Sequence, residues 1–249
     1  MERGAATRGK VARQVAGAEA IEIKATIPHH QIEAALARFG LTKRNDEKRY
    51  IYFFDTPALE LIQSGVILRA RRVVGDQHDS TVKFRPVEPQ DVAQKWHKFE
   101  DFKIEADASE KGVVKSASFS MPVAKGLIKR VADGKKGVAK LFTKEQEAFL
   151  LEMAGRQVDY ASLVVLGPLE AQRWKFEDKA CPWPITAELW TRGDGNTLME
   201  VSIKAPVVQA AVAIGGFMAF LAEVGAERDT DQQTKTRWAL DWYAAQLRG

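Results

Sequence analysis

The chain has 249 residues, 45% hydrophobic and 28% charged, the composition of an ordinary soluble protein long enough to bury one good core. Its formal charge of +4 suits an anionic partner without choosing its kind, and the single cysteine, Cys181, excludes an intramolecular disulfide or a cysteine-based metal site. No apolar run reaches the roughly 18 residues a membrane-spanning helix needs, so no membrane partner is expected and the cytoplasm is the default location.

Residues 1–18 carry Arg3, Arg8, Lys10 and Arg13 against one acid and lack the apolar core of a secretory signal; they read as a disordered basic tail. Residues 19–249 read as a single domain with a helical insertion at about 110–168. The domain opens with "EAIEIKATIP" (19–28), a strand with Ala20, Glu22 and Lys24 on one face and Ile21 and Ile23 on the other. A helix follows over 28–41, with Ile32, Ala35, Leu36 and Phe39 on its apolar side, and "KRNDEKR" (43–49) reads as a solvated connection. "IYFFDTP" (51–57) is a strand running into a turn, and 57–65 is a short helix between a proline and a glycine.

Alternation then returns with a charged face. "GVILRARRV" (65–73) sets Arg69 and Arg71 opposite Leu68 and Ala70, and "STVKFRP" (80–86) sets Lys83 and Arg85 opposite Val82 and Phe84. "FKIEAD" (102–107) sets Lys103, Glu105 and Asp107 opposite Phe102, Ile104 and Ala106. After the insertion, "QRWKFED" (172–178) carries Arg173 and Lys175, "CPWP" around Cys181 reads as a loop, and "ITAELW" (185–190) carries Glu188. Beyond a "GDGN" turn, "LMEVSIK" (198–204) carries Glu200, Ser202 and Lys204. Two C-terminal helices close the chain, the second capped by Thr230 or Asp231, with Lys235 and Arg237 on a solvated face in preference to closing one mouth of an enclosed interior.

One amphipathic strand is most simply a sheet with one face in water. Here about eight strands share a charged polar face, with bases concentrated on some and acids on others. Curled into a barrel, those faces converge on one interior. Lys and Arg neutralise phosphate oxygens, while carboxylates hold Mg2+ or Mn2+, so an interior of both signs suits a polyanion with a divalent cation. Empty, it should be wet and open-ended, because unpaired like charges resist burial. Nucleic acid is the disfavoured anion, since aromatic residues alternating in "RWKF" suit a core better than a stacking platform.

The motifs also stand in a known order. "AIEIK" corresponds to an ExExK signature, "FFDTP" to a strand and turn, "LRAR" to LRxR, "TVKFRP" to LxxKxP and "KIEAD" to RxExE. "RWK", "ITAELW" and "MEVSIK" correspond to a later basic strand, an acid-bearing strand and a final ExE strand. Over roughly residues 19–107 and 170–240 the chain thereby resembles the CYTH superfamily of triphosphate tunnel metalloenzymes, which includes thiamine triphosphatases, tripolyphosphatases and class IV adenylyl cyclases. The resemblance implies an α+β fold, an eight-stranded antiparallel β-barrel tunnel with surrounding helices, whose ligand is a triphosphate or polyphosphate. It implies phosphate contacts from Lys24, Arg69, Arg71, Lys83, Lys103, Arg173 and Lys175, metal held by Glu22, Glu188 and Glu200, and Glu105 and Asp107 orienting bases or water. Arg85 and Lys204 share the inward parity and receive no role.

Two positions depart from that pattern: Ala20 replaces the first acid of ExExK and Ser202 the second acid of the final ExE. Glu19 cannot replace the first, because a one-residue shift turns a side chain to the opposite face unless a bulge intervenes. The resemblance therefore implies, in order, a divalent-metal-dependent triphosphate hydrolase, a non-catalytic triphosphate-binding module, and an adenylyl cyclase. A homodimer is left open.

Overall fold

The computed structural model describes residues 2–109, 112–229 and 234–247. Among them, nine strands close a barrel: β1 (Ala20–Ile27), β2 (Glu47–Asp55), β3 (Val66–Val73), β4 (His78–Phe84), β5 (Phe102–Ser109), β6 (Gly112–Val123), β7 (Val164–Asp178), β8 (Cys181–Thr191) and β9 (Thr197–Pro206). Around the ring the order is β1-β5-β6-β4-β3-β2-β7-β8-β9, and β9 pairs back with β1. This corrects the expected eight antiparallel strands. Directions cannot alternate around a closed ring of odd number, and the parallel pair is β1 with β5, which matches Glu22 with Asp107.

The additional strand is β6, which lies within the segment expected to be a helical insertion. Its inward positions are Ser116, Ser118 and Ser120 rather than charges, while Ala117 and Phe119 on the other face are buried. The helical part of that segment begins later, with α4 (Leu127–Ala132) and α5 (Lys144–Ala154). The other helices are α1 (Glu2–Val15), α2 (Ile32–Arg38), α3 (Glu60–Gln63), α6 (Ala210–Glu223) and α7 (Lys235–Gln246). The tail expected to be disordered thus contains α1, whose Val11 and Val15, one turn apart, pack into the core together with Ala18 beyond its end. Cys181, expected in a loop, opens β8 and is buried. No helix among the described residues is long and apolar enough to cross a membrane.

Strand alternation places the main core outside the barrel, under the helices. Ile21, Ile23, Leu68, Val82, Ile104, Val201 and Ile203 face outward and meet Phe149 of α5 and Phe217 and Phe220 of α6. Gly216 lets α6 settle on Trp183, whose ring a Cβ there would meet at 2.7 Å. Gln146 fixes α5: it completes a capping box with Thr143, and its buried amide donates to the Ser80 and Phe119 carbonyls at 3.1 and 3.0 Å. Gln146→Ala is expected to lower the unfolding free energy by about 3 kcal/mol, read from the urea midpoint, because two buried carbonyls lose their donor.

A second apolar cluster lies inside the barrel. Ala239, Leu240 and Ala244 of α7 pack on the inward residues Ile51, Phe53, Leu169, Ala171 and Trp190. One end of the barrel is therefore filled, a correction to the open-ended tunnel. Thr230 and Asp231, expected to cap this helix, lie outside the described residues; Thr234 caps it, accepting from the Arg237 backbone N–H at 3.4 Å.

Candidate functional site

The remaining interior is a cavity of about 670 Å³. Every residue singled out from the charged strand faces lines it: Glu22 and Lys24 from β1, Arg69 and Arg71 from β3, Lys83 from β4, Lys103, Glu105 and Asp107 from β5, Arg173 and Lys175 from β7, Glu188 from β8 and Glu200 from β9. Among the described residues eleven basic side chains line the cavity against six acidic ones, an excess that draws in anions.

Asp107 anchors one group. It lies 2.8 Å from Lys24, 3.4 Å from Lys83 and 3.8 Å from Arg85, and is 3% exposed. Burial alone would raise its carboxyl, but Lys24, Lys83 and Arg85 outweigh this and hold it well below the usual carboxylate range. Lys24 also pairs with Glu22 at 2.9 Å; burial opposes its charge, and Glu22, Asp107 and Glu200 more than compensate, raising it well above the ordinary lysine value. Lys83 is lowered, first by burial and then by Lys24 and the arginines beyond it, with Asp107 offsetting part of that.

Arginines form the second group. Arg71 donates from Nε to both Asp79 oxygens at 3.0 Å, and Arg173 lies 3.8 Å from Glu188. Arg49, on the inward face of β2, pairs with Glu47 and lies 3.8 Å from Glu188. Arg69 differs from these in having no carboxylate in ion-pair range among the described residues: its Nη2 reaches Thr81 Oγ1 at 3.4 Å, and its Nε, like that of Arg173, is buried without a hydrogen-bond partner. Burial, then Arg71, push its guanidinium down to about 9, which still leaves it charged at neutral pH and short of a counter-anion.

The acids expected to hold metal are otherwise engaged. Glu188 and Glu200 face each other across β8 and β9, and both pair with the ammonium of Lys235, which contacts Glu188 and lies 2.7 Å from Glu200. Glu22 pairs with Lys24 and accepts from Ser202 Oγ at 3.3 Å. No group of three metal-ligating side chains is assembled among the described residues. As placed, with ammonium groups on their oxygens, these residues do not form a shell for a divalent cation. Ala20 lies across from Pro206 and Glu105, and the Glu19 carboxylate accepts from the Ile104 backbone N–H at 3.3 Å, so no bulge returns an acid to this face.

Several lining residues escaped the sequence reading. Arg49 sat in a stretch read as a solvated connection; the parity it shares with Ile51 and Phe53 was the missed signal. Arg85 reaches Asp107 and Lys204 pairs with Glu105, both without an assigned role. Lys235 was read as solvated, yet it is one of the paired cations inside the cavity, while Arg237 faces outward and pairs with Asp241 along α7. Lys103 and Lys175 stand on the exposed side of the cavity.

No protein-family model matches the sequence, and no curated protein matches it. Solved structures do match. A Bacillus halodurans protein assigned as an adenylate cyclase superimposes with a TM-score of 0.60 at 12% identity, over 87% of this chain and 95% of its own. A Hippeastrum protein assigned as an adenylyl cyclase, with a dominant triphosphatase activity, superimposes with a TM-score of 0.62 at 17% identity, over 89% and 95%. At these identities the likeness is one of fold.

Proposed function

Because this chain carries the fold of the CYTH superfamily of triphosphate tunnel proteins, we propose that it binds the phosphate chain of an inorganic or organic triphosphate inside its barrel. The observation that carries this reading is Arg69, a charged, part-buried guanidinium with no carboxylate partner among the described residues, beside Arg71, Arg49 and Lys83. A planar donor fork of this kind is matched by phosphate oxygens in two-pronged contact. Lys24, Arg173 and Arg85 extend the same lining, and Lys103 and Lys175 meet the ligand as it enters.

Hydrolysis of the terminal anhydride is the second reading, supported by the activity of the Hippeastrum protein of like fold. Cyclase activity rests on the names of the matched structures alone.

Calorimetric titration of the full chain with tripolyphosphate tests the binding reading. Saturable binding that weakens with added salt is expected, as for any anion held by several cations. No heat or thermal shift at low salt, with or without Mg2+, would overturn it. Phosphate release from the same samples decides turnover, and its absence under Mg2+, Mn2+ and chelator alike would remove the hydrolase reading.

A further inference from the structure

Two carboxylates set side by side in a partly desolvated interior need a proton, a metal ion or an organic cation between them. Glu188 and Glu200 are such a pair, and this chain supplies the cation itself. We propose that the Lys235 ammonium takes the place between Glu188 and Glu200 that a divalent cation would otherwise occupy, so that the barrel captures its anion without metal.

Lys235 is held in that place. It is the first residue of α7, whose Ala239, Leu240 and Ala244 are buried against inward-facing residues of the barrel. Its Nζ stands 5.0 Å from the centre of the Trp190 ring, and the Trp190 indole N–H donates to the same Glu188 carboxylate at 3.3 Å. The ammonium thus sits between two carboxylates and an aromatic face, on a helix whose own packing sets its depth. A long side chain on a mobile surface would have no such constraint.

The two departures on β1 and β9 fit this substitution. With Ala20 and Ser202 in place of acids, the interior lacks two negative charges that a doubly charged ion would draw on. The acids that remain are each served by an ammonium: Glu22 by Lys24, and Glu188 and Glu200 by Lys235. Mg2+ demands a near-octahedral oxygen shell, and it would have to displace Lys235 to reach either Glu188 or Glu200.

The test needs no triphosphate in its first arm. Mn2+ is titrated into the full chain and into Lys235→Met, and free Mn2+ is read by electron paramagnetic resonance. The natural chain is expected to leave Mn2+ free at concentrations where Lys235→Met binds it at least about tenfold more tightly, because methionine can lie on Trp190 while releasing both carboxylates. Lys235→Arg, which keeps the charge, should exclude Mn2+ as the natural chain does. Equal Mn2+ affinity in the natural chain and Lys235→Met would overturn the proposal.

The second arm rests on the triphosphate reading of the cavity. Tripolyphosphate is titrated in excess chelator, where the natural chain and Lys235→Arg should bind it and Lys235→Met should bind about 10- to 100-fold more weakly, regaining affinity when Mn2+ replaces chelator. Binding by the natural chain that vanishes in chelator would overturn the metal-free mechanism. Failure of tripolyphosphate to bind any form under any condition would instead remove the triphosphate reading, leaving the Mn2+ contrast to stand or fall separately.

Discussion

Asn in place of Asp107 is expected to lower the unfolding free energy of the empty protein by about 3–5 kcal/mol, the usual consequence of removing one member of a buried ion cluster. Asp107 is the common partner of Lys24, Lys83 and Arg85, so Asp107→Asn leaves three cations facing one another with one fewer counter-charge. Lys83, already pushed down by burial and its basic neighbours, loses the main group that offsets both. Chemical denaturation at neutral pH measures the loss. If the triphosphate reading holds, tripolyphosphate should restore more stability to Asp107→Asn than to the natural chain, since the ligand supplies the missing negative charge.

The same residue governs part of the acid response. Its carboxyl is held below its ordinary value of 3.8 in the folded state, so its contribution is fully present above that value and is lost as pH falls toward the lower folded one. The natural chain should therefore lose stability steeply below about pH 4, and Asp107→Asn should show a shallower slope there. Parallel slopes for the two would mean that Asp107 is not a principal acid-sensitive group.

Arg69→Met should act with opposite signs on binding and stability. Loss of a two-pronged charged contact costs about 3 kcal/mol, or roughly 100-fold in tripolyphosphate affinity. The empty protein should meanwhile become more stable by about 1–2 kcal/mol, because a part-buried guanidinium crowded by Arg71, with no carboxylate partner among the described residues, is replaced by an apolar side chain of similar length. Affinity by calorimetry and the urea midpoint on the same preparation separate the two effects. A variant that is both weaker in binding and less stable would identify Arg69 as a structural residue rather than a ligand contact.

What could be read in advance followed from one repeating signal, the alternation of charge with apolar side chains. It located Glu22, Lys24, Arg69, Arg71, Asp107 and Glu200 on one interior surface before any coordinates, because strand parity is local and a two-residue period survives in any sheet. The same signal failed where its chemistry changed. β6 alternates serine with apolar residues and was absorbed into a helical segment, although Ser116 contacts Asp107 and Thr81 meets Ser120 at 2.9 Å. Arg49 was lost because the strand, which starts at Glu47, was begun at Ile51, and α1 because a basic segment with few apolar residues gives little sign of docking.

The amino-acid sequence by itself determined that this chain is built on strands with one charged, cation-rich face, since the side each residue faces depends only on its parity within a strand; the barrel was what the resemblance implied. It also established that two acids of the expected metal set are absent, at Ala20 and Ser202. Tertiary structure alone decided the number and direction of strands, which ring closure imposes, and the filling of one end by α7. It alone decided the partner of Glu188 and Glu200. Lys235 lies 47 residues from Glu188 in the chain, and only the packing of α7 against Trp190 and its neighbours brings that ammonium between the two carboxylates.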